Sequence, residues 1–311
     1  MKQGRRVLTA VLLAVWIAVS AAAAPDALVP VGRCVGITMH TEGVTVVGFA
    51  EGGSAAQEAG VHAGDRIVSI DDAAVNSPAE IRAQLRPGTR VVLRVLREGR
   101  ENSFTVQLPD TDELGVMVRS GVSGIGTVTY YDPDAGVFGA LGHGVGDGAG
   151  ALLTEGTGQI VPAEVTEVVR GEPGQPGMLR GAYTPEILGE IERNTEAGVF
   201  GHGTLPAVQA ALPVGEAEAG EAVILANLSG AAVEQFAVRI LETDTGAATR
   251  NLLVQVTDSR LLEATGGIVQ GMSGSPIIQD GKLVGAVTHV LVNDPTRGYG
   301  IQIENMLAAA G

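Results

Sequence analysis

Six consecutive residues near the C-terminus, Gly271 to Pro276, have the composition of a nucleophilic turn. Ser273 stands among small residues, and glycines at 271 and 274 let the backbone turn sharply enough to present its hydroxyl. Such a turn would aim the N–H groups of Gly271 and Ser273 at one point, as an oxyanion hole for a tetrahedral intermediate. The predicted chemistry is acyl transfer through the Ser273 hydroxyl.

The residues after this turn predict a β-hairpin. Ile277 to Gln279 and Leu283 to Val290 are strand-like, and Asp280-Gly281 between them is typical of a type I′ turn. An α/β-hydrolase would need a helix at this point and a glycine in place of Ser275, so that fold is disfavoured. Ser275 is also the weaker nucleophile candidate, because Pro276 follows it directly.

A serine nucleophile needs a general base, and the chain contains five histidines. His143 lies between two glycines, a tight context that exposes an imidazole, and His202 has nearly the same surroundings. His289 lies in a predicted strand, where a histidine packed in the core is the usual outcome. The other two, His40 and His62, belong to the N-terminal half and are discounted. The residues alone leave both His143 and His202 as candidates.

Composition restricts the other classes of function. Acidic residues outnumber basic ones by 35 to 20, and because no basic cluster appears, nucleic acid is not an expected partner. The low aromatic content of 3% and the 45 glycines favour β structure with tight turns. No His-Glu-x-x-His motif occurs, so we expect neither a metal nor a cofactor. Cys34 is the only cysteine, which excludes an internal disulfide and favours a buried structural thiol.

The N-terminus has the features of an export signal. Three basic residues within the first six positions precede Val7 to Ala24, which carries no charge and ends in four alanines. Residues 1–24 are therefore predicted to be a signal peptide or a membrane anchor, with 25–32 as a linker. Either form places the body of the protein outside the cytoplasm.

The next segment resembles a PDZ domain of the type found beside exported bacterial proteases. The run from Ala59 to Asp71 carries the resemblance, with Gly64-Asp65 turning the chain into a strand. A capped helix follows, with Ser77 as N-cap, Pro78 at the first position and Glu80 completing a capping box. The predicted PDZ domain covers residues 33–109.

A PDZ domain implies a groove that binds an extended peptide, either a chain end or an internal strand, as an added β-strand. The loop expected to receive a chain-end carboxylate consists of Val35, Gly36, Ile37 and Thr38. The alternative is a PDZ domain that only packs on its neighbour as a spacer.

The polar stretch Pro109 to Glu113 is the predicted domain boundary. Beyond it, residues 112–311 consist of many short, strand-like runs separated by glycines, which predicts a β-rich second domain. One helix is expected around Pro185 to Arg193. Two segments share a glycine-rich pattern, 136–139 before His143 and 198–201 before His202.

Several motifs in the second domain resemble the stage IV sporulation protein B family, peptidase family S55, whose members are serine peptidases with a PDZ domain. The resemblance covers essentially the whole chain. Its motifs are Ala140 to Gly144, Thr257 to Ser259, Gly267 to Pro276 and Gly285 to Val290.

The resemblance implies His143 as general base, Asp258 as its partner and Ser273 as nucleophile, in a fold similar to the trypsin-like double β-barrel. Asp258 precedes Ser273 by only 15 residues, unlike the spacing in trypsin-like enzymes. Three other carboxylates near the histidine therefore stay open as alternatives: Asp132, Asp134 and Asp147.

The family further implies a signalling endopeptidase outside the cytoplasm, in the space between mother cell and forespore. Its expected substrates are the chain itself and a membrane-bound regulator of an intramembrane metalloprotease, with the N-terminal segment holding the enzyme at the membrane before cleavage.

Two other functions are possible readings of the same sequence. One is a non-catalytic PDZ adaptor, which would have no need to keep both Ser273 and His143. The other is a quality-control protease resembling the HtrA type, in which the protease usually precedes the PDZ domain, the reverse of the order here.

Overall fold

The computed structural model describes residues 25–111, 113–147, 152–153, 157–206, 209–244 and 246–311. The predicted signal or anchor segment, 1–24, lies outside these residues. Strands account for 56% of the described residues and helices for 9%, so the expected mainly β class is confirmed. Within the described ranges, no helix combines the length and the apolar character that crossing a membrane requires.

The structure contains short helices between many strands. The helices are α1 (Ala55–Glu58), α2 (Pro78–Gln84), α3 (Ser259–Thr265) and α4 (Ile303–Ala310). The strands are β1 (Ala27–Pro30), β2 (Cys34–Phe49), β3 (Arg66–Ile70), β4 (Ala73–Ala74), β5 (Arg90–Arg97), β6 (Arg100–Gln107), β7 (Val116–Asp132), β8 (Val137–Ala140), β9 (Gly158–Val169), β10 (Met178–Tyr183), β11 (Gly189–Thr195), β12 (Gly198–Gly203), β13 (Leu212–Pro213), β14 (Gly220–Ser229), β15 (Ala232–Thr243), β16 (Leu252–Val256), β17 (Pro276–Gln279), β18 (Lys282–Leu291) and β19 (Asp294–Gln302).

Six antiparallel strands close a first barrel. Following the ladders, β2 pairs with β7, then β8, β12, β11 and β9, and β9 returns to β2. Closure leaves no free edge around the ring. The interior is filled by side chains that alternate with outward-facing ones, among them Val35, Met39, Phe138 and Ile160.

A second barrel is formed by β14, β15, β16, β19, β18 and β17 in that order. Its core contains Ile224, Val238, Val254 and Ile277. The hairpin predicted after the serine is β17–β18, and its turn residues Asp280 and Gly281 have φ values of 50° and 73°, as a type I′ turn requires. The predicted double β-barrel is thereby confirmed.

The helix expected around Pro185 to Arg193 is wrong. Residues 189–195 form β11, which is paired on one side with β9 and on the other with β12. Ile191 is buried between the exposed Glu190 and Glu192, so the pattern has the period of a strand.

A separate apolar core lies within residues 44–119, which form the PDZ module. It packs α1, α2 and β3 to β6 against the ends of β2 and β7, around side chains such as Ile67, Leu93 and Val106. The predicted capping of α2 is present, because the Ser77 hydroxyl accepts the Glu80 N–H at 3.2 Å. The PDZ module thus has its own core.

The PDZ module is inserted between β2 and β7, two paired strands of the first barrel. Residues 34–39 of β2 pair with 122–127 of β7 in the barrel, whereas 44–49 of β2 pair with 116–119 of β7 and with β3 in the module. The sequence-based boundaries differ from this division: residues 27–30, predicted as linker, form β1, and the segment 109–113 lies between two residues of the PDZ core, Leu108 and Leu114.

The structure contradicts the predicted carboxylate-binding loop at Val35, Gly36, Ile37 and Thr38. These residues lie in the barrel part of β2 and are paired on both sides, with β7 and with β9. Val35 and Ile37 are buried, and a Cβ on Gly36 would lie 2.4 Å from the Tyr183 ring. With both backbone edges already in ladders, this segment cannot receive a peptide end.

Candidate active site between the two barrels

The predicted nucleophile loop leads from α3 into β17 on the second barrel, but β7 of the first barrel holds it in place. The Thr127 N–H donates to the carbonyl of Ser273 at 2.9 Å. The Thr127 hydroxyl donates to the Gly271 carbonyl and the Thr129 hydroxyl to the Gly274 carbonyl, each at 2.8 Å. Both threonines are fully buried. The nucleophile is therefore positioned by contacts across the two barrels.

The two glycines of the loop are required by its geometry. Gly271 and Gly274 have φ values of 99° and 95°, a region that other residues rarely adopt. A Cβ on Gly274 would lie 2.0 Å from the Thr127 carbonyl oxygen. The sharp turn predicted around Ser273 is present, and a side chain at 274 would force the loop away from β7.

The N–H groups predicted to form the oxyanion hole are available. Among the described residues, the N–H groups of Gly271 and Ser273 donate to no protein acceptor, whereas those of Met272 and Gly274 donate to Val269 and Val287. Two unpaired donors flanking the serine are what a developing oxyanion needs. The oxyanion role of Gly271 and Ser273 stays a prediction that this geometry allows.

His143 lies on the turn that follows β8. The preceding residues Leu141 and Gly142 both have positive φ, 69° and 66°, so the chain leaves the strand abruptly. A Cβ on Gly142 would approach the Thr288 methyl group at 2.8 Å, which shows how closely this turn packs on β18. The turn delivers the imidazole from the first barrel to the surface of the second.

The protonation of His143 suits a general base. Its Nδ1 lies 2.9 Å from the Gly144 carbonyl, an acceptor, which assigns the proton to Nδ1 and leaves the lone pair on Nε2. Burial lowers the pKa of His143 below its ordinary value, and the Arg250 cation lowers it further, while the Gly144 bond acts in the opposite direction. The ring is neutral at pH 7 and able to accept a proton.

Ser273 and His143 approach each other through one short segment of β18. The Ser273 hydroxyl donates to the Thr288 carbonyl at 2.6 Å. The next residue, His289, has its ring centroid 4.8 Å from that of His143. In the described structure the Ser273 hydroxyl is thus hydrogen-bonded to the Thr288 carbonyl. A change in the χ1 angle of Ser273 must therefore precede transfer of its proton to the His143 imidazole.

A cavity of about 470 Å³ opens beside the imidazole of His143. Its walls come from the His143 turn, from β18 and from the segment before β16, and its charged lining residues are Glu196 and Arg250. Within the described residues, no cluster of three or more His, Cys, Asp or Glu side chains could hold a metal ion. The cavity is the natural place for the residues of a substrate next to the scissile bond.

The described hydrogen-bond partners of the Asp258 carboxylate are Arg260 and Ala237, not His143. Its carboxylate accepts the Arg260 N–H at 2.9 Å, the Arg260 guanidinium at 2.9 Å and the Ala237 N–H at 3.2 Å, and it caps α3. The Arg260 bond holds the pKa of Asp258 at about 2. In this arrangement the Gly144 carbonyl, and not the Asp258 carboxylate, orients His143.

Among the three alternative residues, the described carboxylate contacts are those of Asp132. The Asp132 carboxylate accepts N–H groups of Asp134 and Ala135 in the β7–β8 turn. Asp134 is exposed in that turn. The Asp147 carbonyl accepts a bond from Arg119. The described contacts of these three residues do not include a bond to His143.

The remaining candidates are placed elsewhere. His202 is exposed on β12, and its Nδ1 pairs with the Glu192 carboxylate at 2.9 Å. Cys34 is buried, and burial raises the pKa of its thiol to about 11. The thiol is therefore not a nucleophile at neutral pH, in agreement with the predicted structural role.

A groove with a volume of about 350 Å³ lies in the PDZ module, at a different place from the predicted loop at Val35 to Thr38. It runs between α2 and the segment from Leu114 to Val118, and Ile81 and Leu85 form its apolar wall. Residues 116–119 pair with β2 along one edge, and in the described chain no strand covers the other edge. The sequence feature that marks this groove is the run Glu113-Leu114-Gly115-Val116, in which Gly115 turns the chain into β7 with a φ of 70°.

Comparison with known protein families finds a model for each of the two predicted domains. Residues 34–108 match the model of the PDZ domain, and residues 110–307 match the model described as SpoIVB peptidase S55. No curated protein matches the chain. Because the peptidase model covers well over half of the sequence, the chain belongs to the SpoIVB peptidase S55 family.

Proposed function

We propose that this protein is a serine endopeptidase in which Ser273 is the nucleophile and His143 the general base. One observation carries the proposal: Thr288 of β18 accepts the Ser273 hydroxyl, and the next residue, His289, packs against His143. Among the described residues, the N–H groups of Gly271 and Ser273 have no acceptor. The loop that carries the nucleophile and the oxyanion donors thus adjoins the elements that hold the base, and an open cavity lies beside His143.

The reaction begins when Nε2 of His143 takes the proton of the Ser273 hydroxyl as its oxygen attacks a peptide carbonyl carbon. The N–H groups at 271 and 273 stabilise the oxyanion. His143 then gives the proton to the departing amine, and the C–N bond breaks to leave an acyl-enzyme. Water attacks the ester in the same way, and release of the acid restores the Ser273 hydroxyl.

The Gly144 carbonyl has the orienting role that a carboxylate has in a Ser-His-Asp triad. It fixes the tautomer of His143 but contributes no full negative charge, so it stabilises the imidazolium less than an aspartate would. A slower peptidase with few substrates is the expected result, in keeping with limited, regulatory cleavage.

The PDZ module would select substrates through its groove. An extended peptide segment can add to the uncovered edge of residues 116–119 and place apolar side chains against Ile81 and Leu85 of α2. Because β7 continues from this edge to Thr127 and Thr129, the groove is attached to the strand that holds the nucleophile loop.

The expected biological role is sporulation signalling outside the cytoplasm. The family resemblance supports cleavage of the chain itself and of a membrane-bound regulator of an intramembrane metalloprotease. The basic and apolar residues of segment 1–24 support export, with attachment to the membrane until that segment is cut away.

Labelling with a fluorophosphonate probe, followed by mapping of the modified residue, tests the proposal. We expect modification of Ser273 in the wild type and none in Ser273→Ala, because only an activated serine reacts. Self-cleavage should be abolished in the same variant.

Ser275→Ala is the matched control. The Ser275 hydroxyl is buried without a hydrogen-bond partner among the described residues, so its removal should leave labelling and self-cleavage intact. An unlabelled wild-type protein would reject Ser273 and favour the non-catalytic adaptor, whereas labelling at Ser275 would reject Ser273 in favour of a different nucleophile.

A further inference from the structure

A second imidazole, His289, packs against the proposed general base. Its ring centroid lies 4.8 Å from that of His143, and the two ring planes are inclined by 43°. His289 directly follows Thr288, whose carbonyl accepts the Ser273 hydroxyl. His289 is therefore the side chain of β18 that stands next to the reacting groups.

The Arg250 guanidinium determines the tautomer of His289. Its Nη2 lies 3.3 Å from Nε2 of His289, and because the guanidinium only donates, Nε2 must accept. In the neutral ring the proton is then on Nδ1. That nitrogen is buried and has no hydrogen-bond partner among the described residues.

A buried network holds the backbone that carries Arg250, and His289 accepts the hydrogen bond of its guanidinium. Arg250 has a φ of 56°, a conformation rare for a residue other than glycine. The neighbouring Asn251 is buried, accepts the Gln302 N–H at 2.8 Å and donates to the Asn305 side chain at 2.9 Å. This anchored turn directs a cation to His289 at the edge of the active-site cavity.

We infer that His289 is a positioning residue for catalysis: its ring holds the imidazole of His143 in place and links it to the Arg250 cation. The inference rests on the proposed function, because it takes His143 as the general base. A phenylalanine would fill the same space without burying an unpaired nitrogen. Only the imidazole can also accept the bond from Arg250.

The charges around the pair favour neutral rings. The charged residues that line the shared cavity are Arg250 and Glu196. Burial lowers the pKa of His289 to about 4, with His143 and Arg250 acting in the same direction. Arg250 also lowers the pKa of His143. A cation held at this place therefore disfavours protonation of the base.

The test compares His289→Ala, which removes the ring, with His289→Phe, which keeps a ring but cannot bind Arg250. Two quantities are measured against pH in the full chain: the rate of fluorophosphonate labelling of Ser273, and the protonation of His143 by NMR of isotopically labelled histidine. His202→Ala, a change at the exposed histidine of β12, is the control.

We expect His289→Ala to lower the plateau labelling rate by roughly tenfold, because the base loses its support. The pKa of His143 should rise in this variant, which moves the acid limb of the rate profile to higher pH. His289→Phe should keep the plateau within about threefold, since the ring volume is conserved, yet show a raised His143 pKa. His202→Ala should change neither quantity.

Wild-type rates and an unchanged His143 titration in both variants would overturn the inference, as would equal losses of rate with no change in that titration. If His289→Ala does not fold, His289→Phe alone decides through the His143 titration. An unlabelled wild-type protein would count against the proposed function only, because the NMR titration shows how His289 affects the protonation of His143 without any reaction.

Discussion

The two histidines in glycine-rich segments, His143 and His202, have nearly the same local sequence but opposite surroundings. Their strands, β8 and β12, are neighbours in the first barrel, with Phe138 opposite Gly201 and Gly139 opposite Phe200. β12 continues to Gly203, so His202 stays on the strand surface and pairs with Glu192. β8 ends at Ala140, and the following turn carries His143 to the second barrel.

The difference lies in where the strand stops. Before His143 the chain adopts positive φ at Leu141 and Gly142, whereas His202 keeps its place in the ladder with β11. The comparison teaches that a glycine-flanked histidine becomes a candidate base only when the backbone turns it away from its own sheet.

The strongest way to break this comparison is to remove each imidazole in turn. His143→Ala should reduce the rate of Ser273 labelling by about 10²–10⁴-fold, the usual contribution of a general base. His202→Ala should leave the rate at the wild-type level, because its imidazole is exposed on β12 and pairs with Glu192. Comparable losses of labelling rate in both variants would show that the two histidines are not functionally distinct.

A second prediction concerns the turn that presents His143. Gly142→Ala places a methyl group 2.8 Å from the Thr288 side chain at a φ of 66°, so we expect displacement of His143 and a loss of labelling of about tenfold.

Gly136→Ala is the matched control for that change. Gly136 has a similar φ of 69°, but an added Cβ would meet nothing closer than 3.9 Å. The strain alone should lower the free energy of unfolding by about 1 kcal/mol without altering the labelling rate of folded protein. Equal labelling rates in the two glycine variants would refute a specific role for the His143 turn.

The smallest expected effect sharpens the question of what orients His143. Asp258→Ala removes the cap of α3 and should lower the free energy of unfolding by about 1 kcal/mol, whereas Asp258→Asn keeps a capping side chain. Because the folded pKa of Asp258 is about 2, the stability from its carboxylate should be present above pH 4 and vanish as the pH falls through 2.

Chemical denaturation at several pH values measures these differences, and the labelling rates give the second readout. A loss of rate in Asp258→Asn as large as in His143→Ala would show that this carboxylate, and not the Gly144 carbonyl, supports the base during catalysis.

Local patterns predicted the parts of the site that depend on local geometry. Glycines at 271 and 274 predicted the sharp turn at Ser273, and Asp280-Gly281 predicted the hairpin after it. The PDZ core and the cap at Ser77 were equally readable, because capping and turn conformations are set by residues a few positions apart.

Long-range pairing produced the errors. Val35 to Thr38 was predicted to receive a peptide end, but β9 pairs with it from more than 120 residues away. The groove lies instead beside Leu114 to Val118, because β2 and β7 run on from the barrel into the PDZ module. Nothing within either segment indicates which edge stays uncovered.

The sequence by itself determined the β-rich class, the nucleophilic turn and the family to which the chain belongs. Only the tertiary structure decided which histidine meets that turn, which group orients it and where a peptide can add to the PDZ module. Glycine and turn residues restrict the backbone locally, whereas the closing of two barrels brings together Thr127, His143, Ser273 and His289 through ladders that no short segment encodes.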